Sequence, residues 1–362
     1  MKTIYFTVTN DLSYDQRMHR ICTTLVQKGH TIWLIGRVMP GSEPMSGHLF
    51  LHHRLRCYFN RGKAFYIEYN LRLLFFLLFR RMDAVCAVDL DTILPVYIVS
   101  IAKKIPRVYD AHEWFTEMKE VVTRPFVHKA WRSLERWMVP RFPQGYTVSQ
   151  PIAEYFRLTY HVEYPVIRNL PVAKPWPPVP ENHRIIIYQG AVNEGRCFEE
   201  LIPAMSAVKG KLHIYGDGNF LRQARQLTRA LKLEEKIFFM GKFLPAQLSG
   251  ITPAARAGIT VFEKTGKSNR YSLANRFFDY IQAGVPQVCS DLPCYREINQ
   301  EHEVAVLLSG QTGDKIAHAL NNLLDNEVLY LRLRSNCMNA ARQYTWENES
   351  IRLIRFYQNL LH

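Results

Sequence analysis

The stretch PVAKPWPPVPENH, residues 171–183, carries five prolines in thirteen positions. A proline lacks a backbone N–H and fixes φ, so this segment can neither continue a helix nor pair as a central strand. It reads as a stiff linker. The same pattern lies on both sides of it. Upstream, KTIYFTV, HTIWLIG, DAVCAV and RVYDAH are short apolar runs of strand length, and Met18, Ile21, Cys22 and Leu25 between them keep helical spacing. Downstream, the alternation restarts with RIIIYQG, KLHIYG, KIFFMG, AGITVF, VPQVCS and EVAVLL. Alternating strand and helix implies mostly parallel sheets covered on both faces. A chain of 362 residues also exceeds what one small core serves. The expected organisation is two α/β domains, 1–170 and 184–345, joined by the linker at 171–183 and closed by a helix at 346–362. That last segment, WENESIRLIRFYQNLL, is amphipathic through Leu353, Tyr357, Leu360 and Leu361 and could pack on either domain.

Hydrophobic content of 48% and aromatic content of 12% describe a packed globular chain and exclude a disordered one. The seven cysteines show no C-x-x-C pairing or metal-ligand spacing, and no secretory leader opens the sequence, so reduced thiols and a cytoplasmic location are expected. The net charge is +14, of which +9 falls within residues 1–170. Nucleic acid, an anionic membrane and phosphorylated ligands all attract such a surface. No run approaches the roughly 20 apolar residues of a membrane span. The longest, Leu73 to Phe79, is flanked by Arg72, Arg80 and Arg81. It reads as a buried crossover helix or as a helix lying in an anionic leaflet, and the two are compatible. VHKAWRSLERWMVPRF, where Lys129, Arg132, Arg136 and Arg141 alternate with Trp131 and Trp137, favours the second.

In open α/β sheets ligands collect outside the carboxyl ends of the strands. Gly190, Gly216 and Gly241 end three strands of the second half. YQGAVNEGR sets Gly195 and Arg196 where a helix begins, and free N–H groups beside a guanidinium suit a diphosphate; a plain surface turn has the same composition. YGDGN is likewise a common tight turn. In SNRYSLANRFFDYIQAGVPQV, Ser272 could cap a helix that Gly284 and Pro286 end. Phe278 and Ile281 would then face a core, while Asn275 and Asp279 share another face. The first N–H groups, near Leu273 to Asn275, would point toward the ligand crevice. Asp279 would lie about 10 Å along the axis from Ser272, the span from a diphosphate to its ribose. A carboxylate there can accept both ribose hydroxyls, and Lys264 could add positive charge at the phosphates; without a ligand, Asp279 is a solvated helix-face acid.

SLANRFFDYIQAGVPQVCSD, YQGAVNEGR, YGDGN, VYDAHEWFTE, TNDLSYDQRMHR and YTWENES, in this order and spacing, resemble the retaining family-4 glycosyltransferases of GT-B fold, over nearly the whole chain. The resemblance implies two Rossmann-like parallel-sheet domains facing a central cleft, an amino-terminal acceptor domain and a carboxyl-terminal donor domain. It implies transfer of a sugar from a nucleotide diphosphate-sugar to a saccharide or lipid-linked acceptor, in cell-surface polysaccharide or glycoconjugate assembly. In the family's Glu-x7-Glu motif the second acid holds the ribose; Asp279 stands there, while Tyr271 stands where the first Glu is usual, which shifts donor contacts to the N–H groups at Ser272 and Leu273. The resemblance makes Arg196 a diphosphate clamp. Cys197 follows it in place of the usual pairing cation, leaving Lys264 to supply the second. Lys242 and Phe243, after Gly241, fall where the nucleobase binds. His112, after a strand in DAHEWF, matches a histidine that positions the donor sugar. Asp15, Arg17 and Arg20 are candidate acceptor contacts or a solvated helix face.

The resemblance calls for no cofactor and no metal. Asp89-Leu90-Asp91 has the look of an Asp-x-Asp metal motif of a different fold, but an Asp or Thr between a strand and TILPVYIVSIA is better read as a helix cap. Two rivals stand beside transferase chemistry. A nucleotide-sugar epimerase of the same fold needs acid/base carboxylates around the sugar, and Tyr271 argues against it. A basic nucleic-acid-binding protein rests on charge alone, with no zinc spacing or RNA-binding aromatic signature. The expected partners are therefore a donor, an acceptor and an anionic membrane surface, not nucleic acid, with the protein peripheral on the inner face of the plasma membrane.

Overall fold

The structure is a computed structural model that describes residues 1–42, 44–178, 184–263, 266–271 and 273–361. Two compact units emerge: Met1–Asn169 together with Asn348–His362, and Leu170–Glu347.

The first unit is built on β1 (Thr3–Asp11), β2 (Thr31–Arg37), β3 (Leu51–Leu55), β4 (Ala84–Val88), β5 (Arg107–Ala111) and β6 (Gln144–Thr147), in the order β3-β2-β1-β4-β5-β6. The second holds β7 (Ile185–Gln189), β8 (Lys211–Tyr215), β9 (Ile237–Gly241), β10 (Ala257–Thr260), β11 (Gln287–Ser290) and β12 (Ala305–Leu308), in the order β12-β11-β10-β7-β8-β9. Every pairing is parallel. Each sheet thus runs outward from its first strand in both directions, the Rossmann order, with a switch point between β1 and β4 and another between β7 and β10. Central strands such as β4 and β10 are buried along their whole length, as continuous apolar runs in a doubly covered sheet must be.

The closing helix, Trp346–Leu361, belongs to the first unit from Asn348 onward. Leu353 and Tyr357 are fully buried there, and the Tyr357 ring lies 5.9 Å from Phe6 of β1. Within that unit Glu349, itself buried, accepts the Arg168 backbone N–H at 2.8 Å and its guanidinium at 3.0 Å.

The described part of the proline-rich stretch, 171–178, has no regular secondary structure, but it does not stand free as a spacer. Arg334 stacks 5.2 Å from the Trp176 ring and donates to the carbonyls of Gly284, Pro177 and Pro178 at 2.7, 2.6 and 2.9 Å. Prolines offer no N–H but keep their carbonyls, so one buried guanidinium docks the segment on the second unit. Residues 179–183 lie outside the described residues.

The apolar run at 73–79 resolves into two faces of one helix, Gly62–Leu78. Phe65, Tyr69, Leu73 and Leu77 are buried, whereas Ile67, Leu71, Phe75 and, just past the end, Phe79 are exposed. Trp131, read as a surface residue, instead packs edge-on to Tyr66 and Phe115, at 5.4 and 4.9 Å; Trp137 is exposed, with Arg141 5.2 Å from its ring. No helix among the described residues is long and apolar enough to cross a membrane. All seven cysteines are free thiols, and six are buried.

Candidate functional site

At the switch point of the second unit, the loops after β7 and β10 meet. Gly190 closes β7 at φ 122°, and its N–H donates to the Tyr215 carbonyl at 2.9 Å. A Cβ on Gly216 would fall 1.8 Å from the Gly190 carbonyl oxygen, so the turns after β7 and β8 approach as only glycine permits. Arg196 lies over the Phe262 ring at 4.4 Å, and its Nη1 donates to Asn269 Oδ1 at 3.2 Å. The helix beyond it, Phe198–Ala204, starts after Cys197 and carries Glu199 and Glu200 in its first turn. Two carboxylates therefore already face its N-terminal dipole, and the cation of this loop is Arg196 itself.

The stretch around Asp279 differs from the sequence expectation. The helix runs Asn275–Gln282 after a separate turn of helix at Lys267–Tyr271, and its N-cap is Ala274, not Ser272. The Ala274 N–H donates to the Tyr295 hydroxyl at 2.9 Å, so a tertiary partner replaces the local cap. Asp279 thus stands in the second turn, about 6 Å from the helix start by rise per residue, not about 10 Å. Phe278 and Ile281 are buried as expected, and Asn275 is exposed. Leu273 is half-buried against the core that contains Phe277 and Tyr295. Asp279 Oδ2 accepts from Gln189 Nε2 at 3.0 Å, and Gln189 Oε1 accepts from Thr252 Oγ1 at 2.8 Å. Gln189, the last residue of β7 and nearly buried, fixes the carboxylate. Sequence reasoning passed over it, although it is the one polar residue closing an otherwise apolar run. Lys264 and Ser272 lie outside the described residues.

Lys242 is exposed beyond β9, whereas Phe243 packs against Tyr215 with ring centroids 5.3 Å apart. Tyr271 ends its short helix half-buried, its carbonyl accepting from the Cys294 thiol at 3.4 Å.

In the first unit, His112 follows β5. Its N–H donates to Asp89 Oδ1 at 2.9 Å, and Nδ1 lies 3.7 Å from Oδ2. Asp89 and Thr92 stand at the N-cap positions of the Leu90–Thr92 turn and the Ile93–Lys103 helix, but neither side chain makes a cap bond, and the Asp89 backbone takes φ 59°, ψ 175°. Asp89 serves the loop after β5, accepting from His112 and, at 3.3 Å, from the Glu113 N–H. Asp91 accepts instead from the Thr9 hydroxyl. Burial first, and the Arg17 charge second, push the His112 imidazole down to about 3. Burial, with Glu113, Asp91 and Asp110 nearby, holds Asp89 well above the usual carboxylate range. His112 is accordingly neutral, able to donate or accept a hydrogen bond but not to act as a cation.

The acceptor candidates do not form one exposed group. Arg17 has no exposed side-chain surface and is paired with the equally buried Asp110 through bonds of 3.2 and 2.8 Å, with a third bond to the Ile167 carbonyl. Its burial in that pair takes it out of reach of an acceptor. Asp15 caps the Gln16–Gln27 helix through the Met18 N–H and is also buried. Arg20, half-buried, bonds Asn169 and Gln16 at 2.7 and 2.6 Å. A solvated face fails equally, because the helix turns these residues inward.

Comparison with known proteins matches both units. The family described as Glycosyltransferase Family 4 matches residues 16–169, and Glycosyl transferases group 1 matches residues 174–344. Phosphatidyl-myo-inositol mannosyltransferase of Mycobacterium leprae is 33% identical over 78 residues; the match spans 22% of this chain and only 21% of that relative. Among solved structures, a sucrose-phosphate synthase from Thermosynechococcus elongatus aligns with a TM-score of 0.80 at 14% identity, covering 99% of both chains. HepE from Anabaena, solved in complex with UDP and glucose, aligns at 0.76 and 12% identity over 99% of this chain and 100% of that one. At such identities the structural matches speak for the fold. With one family model matched to each unit and that fold in both, the chain belongs to the family-4-type glycosyltransferases of GT-B fold.

Proposed function

We propose that this glycosyltransferase moves a hexosyl group from a nucleoside diphosphate sugar to a saccharide or lipid-linked acceptor, with retention at the anomeric carbon, in building a cell-surface polysaccharide or glycoconjugate. The observation that carries the reading is the Asp279 carboxylate held by Gln189 at the β7/β10 switch point, with Gly190 and Arg196 on the adjoining loop. An acid that can take both ribose hydroxyls beside a guanidinium suited to phosphate is the half-site a nucleoside diphosphate requires. Phe243 against Tyr215 supplies an apolar wall for the base, with Lys242 beside it. The solved complexes of HepE with UDP and with UDP-glucose make uridine the first nucleoside to test.

In this reaction the bond between the anomeric carbon and the leaving phosphate oxygen breaks, and its electron pair stays on the phosphate. Arg196 stabilises the charge that develops there. The acceptor hydroxyl attacks from the face being vacated, and its proton passes to the leaving phosphate oxygen, so no protein base of high strength is needed. Neutral His112 is assigned a hydroxyl of the transferred sugar. The diphosphate charge is met by the Arg196 guanidinium, without cofactor or metal; undiminished turnover in EDTA is the expected result. We also assign the protein to the inner face of a membrane. The support is the exposed ridge Ile67, Leu71, Phe75 and Phe79, with Arg80 and Arg81 at its end.

The deciding experiment is a screen of UDP-, GDP- and ADP-sugars for thermal protection, followed by NMR of the anomeric proton of the product. Retained configuration is expected. An inverted product overturns the retaining assignment, and no protection by any nucleotide overturns the donor site.

A further inference from the structure

Arg276 is the second residue of the Asn275–Gln282 helix and only 6% exposed. Its Nε and Nη2 have no hydrogen-bond partner, and Nη1 reaches only the Tyr188 hydroxyl, at 3.4 Å. Its guanidinium lies over the Tyr188 and Phe262 rings, at 4.6 and 4.7 Å. No carboxylate among the described residues pairs with it. A guanidinium is always charged, and burying it without a partner is costly. Every other fully described, deeply buried arginine is satisfied: Arg17 by Asp110, Arg256 by Glu327, and Arg334 by three carbonyls.

Its surroundings indicate what is missing. Arg196 stacks on the same Phe262 ring at 4.4 Å, so two cations share one aromatic platform. A Cβ on Gly190 would lie 3.3 Å from Arg276 Nη1, which places the guanidinium directly beneath the glycine turn that ends β7. Asp279 follows one helical turn later, about 4.5 Å along the axis. Two guanidinia, a glycine turn and then a carboxylate match the sequence of groups in a nucleoside diphosphate: two phosphates, then a ribose.

We infer that Arg276 is a diphosphate ligand, the second cation that Cys197 fails to provide after Arg196. The inference rests on the donor-site reading above and adds a residue from a different element: the site takes its second cation from the helix after β10, not from the loop after β7. Both guanidinia then bind phosphate oxygens through paired N–H donors, and the anion satisfies Nε and Nη2.

The test uses full-length protein and calorimetry with UDP, GDP and ADP and their parent nucleosides. For whichever diphosphate the wild-type chain binds, Arg276→Gln is expected to lose at least tenfold in affinity, with the parent nucleoside unaffected and the ligand-free melting temperature unchanged or raised. Arg276→Lys, which keeps the charge but not the fork, should lose severalfold on the diphosphate alone, and it decides the matter if the Gln variant does not fold. Equal diphosphate affinity in variant and wild type overturns the inference while leaving the donor site intact. A parallel loss for nucleoside and diphosphate also overturns it, because the role is then structural. If the wild-type chain binds none of the three diphosphates, the donor-site reading falls and this inference with it.

Discussion

Asp89 Oδ1 accepts the backbone N–H of His112 at 2.9 Å, from a residue whose own backbone sits at φ 59°, ψ 175°. That region is nearly exclusive to glycine, and an aspartate held there costs on the order of 1–3 kcal/mol. Asp89→Gly should therefore leave stability within about 1 kcal/mol of wild type, because relief of strain offsets the lost acceptor. Turnover should still fall at least tenfold, because the loop that presents His112 is no longer pinned. Asp89→Asn, which keeps an acceptor oxygen, should retain most of the turnover. Parallel melting curves and initial rates check both; a Gly variant with wild-type turnover would remove Asp89 from the site.

For the donor, Asp279→Asn keeps shape but loses the charge. Hydrogen bonds to charged groups are worth about 1.5–3 kcal/mol each, so nucleoside diphosphate affinity should drop at least tenfold by calorimetry. Gln189→Leu should weaken binding less, since the carboxylate remains but loses the donor that orients it. An unchanged dissociation constant in the Asn variant disposes of the ribose assignment.

The pH dependence of stability follows from His112, whose folded pKa of about 3 lies below its ordinary 6.5. Between these values the unfolded chain binds a proton that the folded chain does not. The neutral imidazole's contribution is therefore present above pH 6.5 and lost as the pH falls toward 3. Against a His112→Asn control, wild type should lose up to about 1.4 kcal/mol per pH unit across that window. Denaturant melts at pH 4, 5 and 7 measure this, and a pH-independent difference contradicts it. The acid limb of turnover should likewise show no inflection near 6.5 that His112→Ala removes.

Vesicle binding tests the exposed ridge. Replacing Leu71, Phe75 and Phe79 with serine should reduce sedimentation with anionic vesicles at least tenfold without lowering the melting temperature, since all three are exposed. Arg80→Gln with Arg81→Gln should remove the salt-sensitive part, about 1 kcal/mol per basic residue near the surface. If the serine variants instead convert a dimer to a monomer and vesicles bind neither form, the ridge serves a second copy of the chain.

Close approach at Gly216 makes a stability prediction. The added methyl of Gly216→Ala meets the Gly190 carbonyl, so the variant should lose about 1–3 kcal/mol as an overpacked site. Gly250→Ala, inside the Pro245–Ile251 helix with nothing within 4 Å of the new Cβ, is the control and should hold or gain up to about 1 kcal/mol.

The ten apolar runs visible in the sequence all became strands, the central ones because strands buried on both faces must be continuously apolar. The two that escaped notice are edge strands. LHHRL at β3 is polar at three of its five positions and buries only Leu55, and QGYT at β6 carries Gly145, where a Cβ would lie 2.5 Å from the Tyr164 ring. At the proposed site, Asp279 is legible from its spacing along a helix after a strand end, whereas Arg196 rests on the family resemblance, because Gly-Arg at a helix start is equally a plain turn. Ser272 misled because good capping chemistry is local, whereas the cap actually used involves Tyr295, twenty-one residues away. Arg17 misled for a related reason: an arginine among polar neighbours looks exposed until its partner, ninety-three residues on, folds over it. Arg276 gave no signal at all, because an arginine between Asn275 and Phe277 reads as a solvated helix residue until its burial is known.

The return of the Trp346–Leu361 helix to the first unit has a consequence for synthesis on the ribosome. Leu353 and Tyr357 complete a core whose other members, Phe6 and Tyr146 among them, emerge from the exit tunnel far earlier. Domains usually fold in the order in which they are made. Here the amino-terminal half has to wait, incompletely packed, for the Trp346–Leu361 helix, while the later half already holds every strand of its sheet. Folding is thus completed from the middle of the chain outward, and synthesis halted before the Trp346–Leu361 helix leaves the earlier half unfinished.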